Sequence, residues 1–565
     1  MSAQTSPRFG RRSNLAATLL LGALCAASTV QAATRPAVDP ARLSEIARTL
    51  ASDDFQGRAP GTPGEARTVA WLIARMKALG LTPGGENGGW TQAVPLVHAQ
   101  VGAPATLTIT GAGADMALGQ GRDIYVSTVL PIDRVTIAGA PLVFVGYGVT
   151  APERGWDDFK GVDLHGKVAV FLVNDPDFEA GPDEPVAGRF GGKAMTYYGR
   201  WTYKYEEAAR RGALGALIVH ETAGAAYPWS VVIAPQGETY DIVRPADGPQ
   251  PAPLQGWLQR DLAVDLFRRA GLDFEALKRA ARRAEFHPVP LGEARFSADL
   301  SVTHSLIQSH NVLGKIPGAR RPKETVMIAA HWDAYGVGQA DAGGRTIRPG
   351  ANDDGLGVAG VLELARVLKA GPARARTVVF ALWTAEERGL LGSETYATNP
   401  LYPAATMAAN LTMDILNAAG PSRDVVLIGA GQDSLEGDLA AAATRQGRVV
   451  TPDSHPERGL FYRADHFSVA KRGVPTLLLM AVGGGPDLVA GGREAGDRWV
   501  SDYTANCYHK TCDAWSAAWD LRGAARDVDL LADVGGRLAN SSVWPTWNAG
   551  SEFKAAREST AAARR

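Results

Sequence analysis

A chain of 565 residues exceeds one ordinary domain, so two or more are expected. Its apolar fraction of 45% is enough to fill a large core. With 58 basic against 59 acidic side chains there is no strong field, which argues against a nucleic-acid or anionic-membrane surface.

The first 32 residues differ from the rest. Arg8, Arg11 and Arg12 precede an apolar run, Leu15 to Ala26, and then the small-x-small stretch Val30-Gln31-Ala32. This predicts a cleaved signal peptide over 1–32, too short in its apolar part to span a bilayer. Gly10-Arg11-Arg12-Ser13 also fits a twin-arginine signal, while the bulky Leu24 before Cys25 argues against a lipoprotein site. Cleavage removes three arginines and no acid, taking the formal charge from −1 to −4. The exported chain, periplasmic or extracellular, then keeps only Cys507 and Cys512. No other apolar run is long enough to cross a membrane.

Helical patterning follows from Pro40 to Gly80. Thr62-Pro63-Gly64-Glu65 reads as a capping box with Pro at the first helical position, opening a helix over Ala66–Leu79 that Gly80 ends. From Ile124 to Gly248 the texture changes to apolar strand-like runs (Pro141–Tyr147, Lys167–Val173, Ala213–Val219) among Gly-, Pro- and aromatic-rich turns. Beyond Leu313, strands alternate with helices: Thr325–Ala330, a helix over Gly357–Lys369, Thr377–Trp383, a helix from about Ser393, and Leu411–Asp414. That alternation predicts an α/β fold with a mixed, mostly parallel sheet and helices on both faces. The Ala- and Arg-rich tail after Ser551 reads as a frayed helix or disorder.

Charged groups recur where these strands end. TVMIAAHWD ends in His331 with Asp333 two residues on, and GANDDGLG sets Asp353 and Asp354 in a Gly-flanked loop opening a helix. FALWTAEE ends in Glu386 and Glu387, NLTMDI in Asp414, and His509 comes late in CYHKTC. Ligands of open α/β sheets bind beyond the carboxyl ends of the strands. Two histidines with several carboxylates make the mixed nitrogen and oxygen set that suits zinc. Adjacent carboxylates repel, and a dication beside them offsets that repulsion, leaving one to ligate and one to carry a proton. Singly, each motif has a plainer explanation: a solvated Glu-Glu pair, a capped turn, or Asp354 as a helix cap. Their recurrence in order at successive strand ends favours a metal site.

The series AHWD, GANDDGLG, TAEERGLLGS, MDI and YHKTCD resembles the co-catalytic zinc exopeptidases of the M28 family, which includes leucine-type aminopeptidases and glutamate carboxypeptidase II. GRAPGTPGEA and RADHFSVAKRGVPTLLL fit the same family, over about residues 40–120 and 290–540. KGVDLHGKVAVFLV and EEAARRGALGALIVHE are similar to the protease-associated (PA) domain that many members carry as an insertion. The resemblance implies a zinc peptidase domain over 36–122 and 288–550, a β-rich α/β PA-like insertion and connection over 123–287, and a tail over 551–565.

It further implies two Zn2+ ions. His331 and Asp414 would bind one, Glu387 and His509 the other, and Asp353 would bridge them. Glu386 would be the general base and acid, and Asp333 would orient His331 from behind. Arg463 and Tyr508 match positions that hold substrate or stabilise the oxyanion. His466, beside Asp465, belongs to the same segment or is simply a hydrogen-bonded structural histidine. The Cys507/Cys512 pair departs from the general family pattern, and a disulfide there would close a short loop around His509. The implied activity is an exported dizinc aminopeptidase acting on peptides. A carboxypeptidase, a glutaminyl cyclase-like enzyme and a non-catalytic binding relative are the alternatives, the last two weakened by the intact ligand set.

Overall fold

The local signals at residues 62–80 translate directly into structure. The computed structural model, which describes residues 36–564, has a helix over Pro63–Ala78 whose first turn is closed by the Thr62 hydroxyl accepting from the Glu65 amide. Glu65 reaches back to the Gly61 amide, one residue earlier than a strict capping box requires. The expected signal peptide lies outside the described residues.

The strand-end pattern beyond residue 311 also holds. Strands Thr476–Leu479, Met407–Met413, Arg321–His331 and Arg376–Trp383 lie side by side, each parallel to the next. Arg376–Trp383 (RTVVFALW) and Met407–Met413 are buried at every position, as expected for parallel strands covered on both faces. Helices Gly357–Lys369 and Arg522–Asn540 cover the sheet and share one apolar core with helix Pro40–Leu50. His331 pairs in register with Trp383, so the segments following these two strands leave the sheet at the same edge.

One strand of 28 residues, Val289–Ile316, joins this half to the rest. Its last five residues pair antiparallel with Arg376–Trp383, and its first half pairs with Arg134–Phe144 and Thr106–Thr110. From there the sheet runs on through Val168–Leu172, Gly215–His220, Leu254–Gln259 and Ile124–Ser127. A second apolar core, spanning Ala99 to Val302, fills this part. Residues 99–118 and 289–302, grouped on sequence with the flanking peptidase-like part, contribute side chains to this second core.

The tail corrects an expectation. Residues Lys554–Ser559 form a helix, and Phe553 and Arg557 are buried. The Phe553 ring lies 4.9 Å from Trp547, and Arg557 donates to the Met407 carbonyl at 2.9 Å. An Ala- and Arg-rich composition hides such docking, because an arginine stem can line a core while its head finds buried carbonyls. No helix of the described residues is long and apolar enough to cross a membrane.

Candidate metal centre

Four segments converge at the carboxyl edge of the parallel strands. His331 ends its strand, Asp353 lies in the loop before helix Gly357–Lys369, Glu386 and Glu387 follow Trp383, and Asp414 follows Met413. His509 arrives from a separate loop after helix Gly492–Asn506.

These side chains form two clusters that share Asp353: His331, Asp353 and Asp414, and Asp353, Glu387 and His509. His331 Nε2 lies 3.2 Å from Asp353 Oδ1 and 3.9 Å from Asp414 Oδ1. His509 Nε2 lies 3.3 Å from Asp353 Oδ2 and 3.2 Å from Glu387 Oε2. Glu386 Oε2 stands 3.9 Å from His331 Nε2 and belongs to neither cluster. Buried polar atoms normally find hydrogen-bond partners. His331 Nε2, Asp353 Oδ2 and Asp414 Oδ1 are buried and make no hydrogen bond. Unpaired lone pairs from imidazole and carboxylate aimed at common points are a donor set that fits a small, hard or borderline dication.

The electrostatics point the same way. Burial, then the charge of Asp353, pushes Asp414 up to about 8. Burial, then Asp353 and Glu386, raises Glu387 well above the usual carboxylate range. Burial also raises Glu386, reinforced by Asp414 and Asp465 and opposed by His331. Burial works against protonation of His331, but Glu386, Asp333 and Asp353 outweigh it and raise its basicity. For Asp353, burial is outweighed by the two imidazoles, which hold it low. The site is thus short of positive charge, which bound cations would supply.

A scaffold of buried groups holds the loops. Asp333 is fully buried, and its carboxylate accepts from the amides of Glu386 (3.1 Å) and Glu387 (3.4 Å). Its carboxylate is 3.5 Å from His331 Nδ1, whereas its backbone carbonyl is nearer, at 3.2 Å, so orientation of His331 comes chiefly from the main chain. Asp354 does more than cap a helix. It accepts from the amides of Gly357, His331 and Ile415, stitching three ligand-bearing segments together. Arg58, wholly buried, donates to the carbonyls of Trp332, Leu50, Pro349 and Gly350 at 2.6–2.8 Å. Asp513 accepts from the amides of Asn352 and Asp353, both at 3.1 Å.

The remaining predicted residues fall in two places. Tyr508 is at the centre: its ring lies 3.6 Å from that of His509, and its hydroxyl feels the charges of Arg463, Asp353, Glu387 and Asp414. Arg463 also acts on Asp414. His466 is buried edge-on to Phe461, and burial pushes it down to about 3, so it is a neutral core histidine. Cys507 and Cys512 are joined in a disulfide that brackets His509. Sequence reasoning missed Asp513, Tyr335 and Arg200. Asp513 directly follows the YHKTC stretch, but nothing local marks it as a partner of the Asp353 loop. Arg200 is 8% exposed with its Nε unbonded, and burial, then repulsion by Arg463, lowers it to about 10. Arg458 is likewise lowered by burial and then by Arg463.

Fold and side chains together define an α/β protein with a candidate metal centre at the carboxyl edge of its sheet. Residues 311–532 match the model described as Peptidase family M28. The leupeptin-inactivating enzyme 1 of Streptomyces exfoliatus is 27% identical over 230 residues, 40% of this chain and 48% of that protein. The aminopeptidase YwaD of Bacillus subtilis is 38% identical over 89 residues, 16% of this chain and 17% of that one. The probable lipoprotein aminopeptidase LpqL of Mycobacterium tuberculosis is 34% identical over 129 residues, 23% of this chain and 22% of that one. The chain thus spans less than half the length of the curated relatives it matches. Among solved structures, the aminopeptidase from Aneurinibacillus sp. strain AM-1 is similar at 20% identity and a TM-score of 0.47, covering 89% of this chain and 94% of that one.

Proposed function

We propose that this protein is an exported metallo-aminopeptidase that holds two zinc ions and releases N-terminal residues from peptides. The observation that carries the reading is the pair of three-residue clusters sharing Asp353, whose buried lone pairs are unpaired. His331 and Asp414 would hold one ion, Glu387 and His509 the other, with Asp353 between them. When bound, such ions acidify water and polarise the scissile carbonyl. Glu386 lies outside both clusters and close to His331, and burial raises its carboxyl well above the usual carboxylate range. It therefore accepts the proton of the attacking water and passes it to the leaving amine. Tyr508 and Arg463 offer donors where negative charge develops on the carbonyl oxygen. Export rests on the charged, apolar and small-residue pattern of residues 1–32. Aminopeptidase names among the curated relatives support the direction of cleavage.

The inserted segment acts as a lid. Its Met195 amide donates to the Pro456 carbonyl at 3.2 Å, and its Tyr197 ring meets Phe467 at 5.2 Å. Arg200 and Tyr227, also from the insertion, sit within the field of Arg463. Arg463 repels both Arg200 and Arg458 and also acts on Asp414. This group of arginines favours a second reading, a carboxypeptidase whose substrate carboxylate they receive.

The test is hydrolysis of free-amine against N-blocked dipeptides by the purified chain, with and without a chelator. Cleavage of free-amine substrates that chelation abolishes and zinc restores is expected. Cleavage only of N-blocked, free-carboxyl peptides would replace the first reading by the second. In that case Arg200→Met raises KM for free-carboxyl substrates and leaves amidated ones unchanged.

A further inference from the structure

His509 differs from His331 in how it is held. His331 ends a central strand, its side chain is 2% exposed, and its Nδ1 meets the Asp333 carbonyl. His509 sits in a loop, its side chain is 30% exposed, and its backbone takes a left-handed φ of 63°. That conformation suits few non-glycine residues. A loop ligand of this kind needs its ring fixed by something other than the sheet.

Tyr335, two residues beyond Asp333, meets that need. Its hydroxyl lies 3.0 Å from His509 Nδ1, and the two rings are 4.6 Å apart. Tyr335 is itself clamped: the Arg388 guanidinium sits 5.2 Å from its ring and 4.8 Å from that of Tyr240. Arg388 directly follows Glu387, which shares the cluster with His509. A cation over an aromatic face attracts it electrostatically. The clamp therefore ties the loop carrying His509 to the strand end carrying Glu387.

We infer that Tyr335 is a positioning residue for His509: its hydroxyl accepts the Nδ1 proton and so keeps the Nε2 lone pair turned toward Asp353 and Glu387. Which imidazole nitrogen is free to ligate is set by the hydrogen bond the other one makes. The inference rests on the metal-centre reading above. It adds that the two sites are supported differently, one by main chain and one by a phenol held under an arginine.

The experiment is zinc titration of the full chain against a chromophoric chelator, for the parent, Tyr335→Phe and Arg388→Met, with melting of each metal-free protein measured alongside. Tyr335→Phe keeps the ring and removes only the hydroxyl. One of two zinc equivalents should weaken by about 10–100-fold, the other should hold, and the metal-free melting temperature should stay put. Arg388→Met should weaken the same equivalent by less. Unchanged affinity for both equivalents in Tyr335→Phe overturns the inference. Parallel loss of both with a lower metal-free melting temperature also overturns it, since that marks a structural role. A parent protein that takes up no zinc overturns the metal-centre reading itself, a result distinct from either.

Discussion

Arg58→Met asks whether the metal centre depends on a buried cation that touches no ligand side chain. Arg58 makes four hydrogen bonds to main-chain carbonyls, and three of these belong to the segments that carry His331 and Asp353. Hydrogen bonds to charged groups contribute about 1.5–3 kcal/mol each. Against their loss stands the relief of no longer burying a guanidinium, several kcal/mol. Gly350 also keeps a second donor, the Gly355 amide at 3.1 Å, so its carbonyl is not stranded. Carbonyls left unpaired in the interior cost about 1–3 kcal/mol each, so a net loss of about 3–6 kcal/mol is expected. Methionine fills much of the arginine stem's volume, which keeps the cavity contribution small. Urea unfolding of the metal-free protein, followed by tryptophan fluorescence, measures the loss. Zinc content after dialysis reads the coupling to the site, which should fall below that of the parent. A change under about 1 kcal/mol with full zinc retention would refute the reasoning, because it would mean that water or a shifted backbone replaces all four bonds at little cost.

Glu386→Gln should retain both metal ions while turnover falls by several orders of magnitude, as measured by elemental analysis and kcat; loss of zinc would mean that Glu386 and Glu387 have exchanged roles. Removing the metals should lower the melting temperature, since ligands that bind only the native state stabilise it by mass action. The metal-free protein should also lose stability as pH rises from about 4 to about 8. Asp414 is pushed up to about 8 from an unfolded value of 3.8, so its protonated form favours folding below that window and the benefit disappears across it. A metal-free melting temperature that rises over this range would contradict the assignment. Cys507→Ser with Cys512→Ser should weaken zinc retention and activity more than it lowers stability. The disulfide closes so short a loop that its entropic contribution is only about 2 kcal/mol, while the loop it fixes presents His509. Full alkylation of both thiols in the native, active protein would end that prediction.

Much of the candidate metal centre was legible because its elements are local. An apolar β-branched run followed at once by His, Asp or Glu specifies a buried strand and a charged group at its end, as in TVMIAAH and TVVFALWTAEE, and parallel packing then brings the ends together. The helix over Gly357–Lys369 and the helix opened by Thr62 are local for the same reason: caps and periodicity act over a few residues. What only tertiary structure decided are the contacts between distant segments. Arg58 reaches carbonyls nearly 300 positions away, Asp513 holds the amide of Asp353, and Tyr335 meets His509 across 174 positions. Nothing adjacent in the chain marks these residues, because each acquires its role from backbone groups or rings that folding delivers. The allocation of strands to cores was hidden likewise: Leu107 and Ile109 share an inward face, alternating with the threonines around them, whichever core receives them, and the pairing of Thr106–Thr110 with Val289–Ile316 places them in the second. Sequence specifies local conformation and the chemistry available; the approach of segments far apart in the chain determines which of those groups act together.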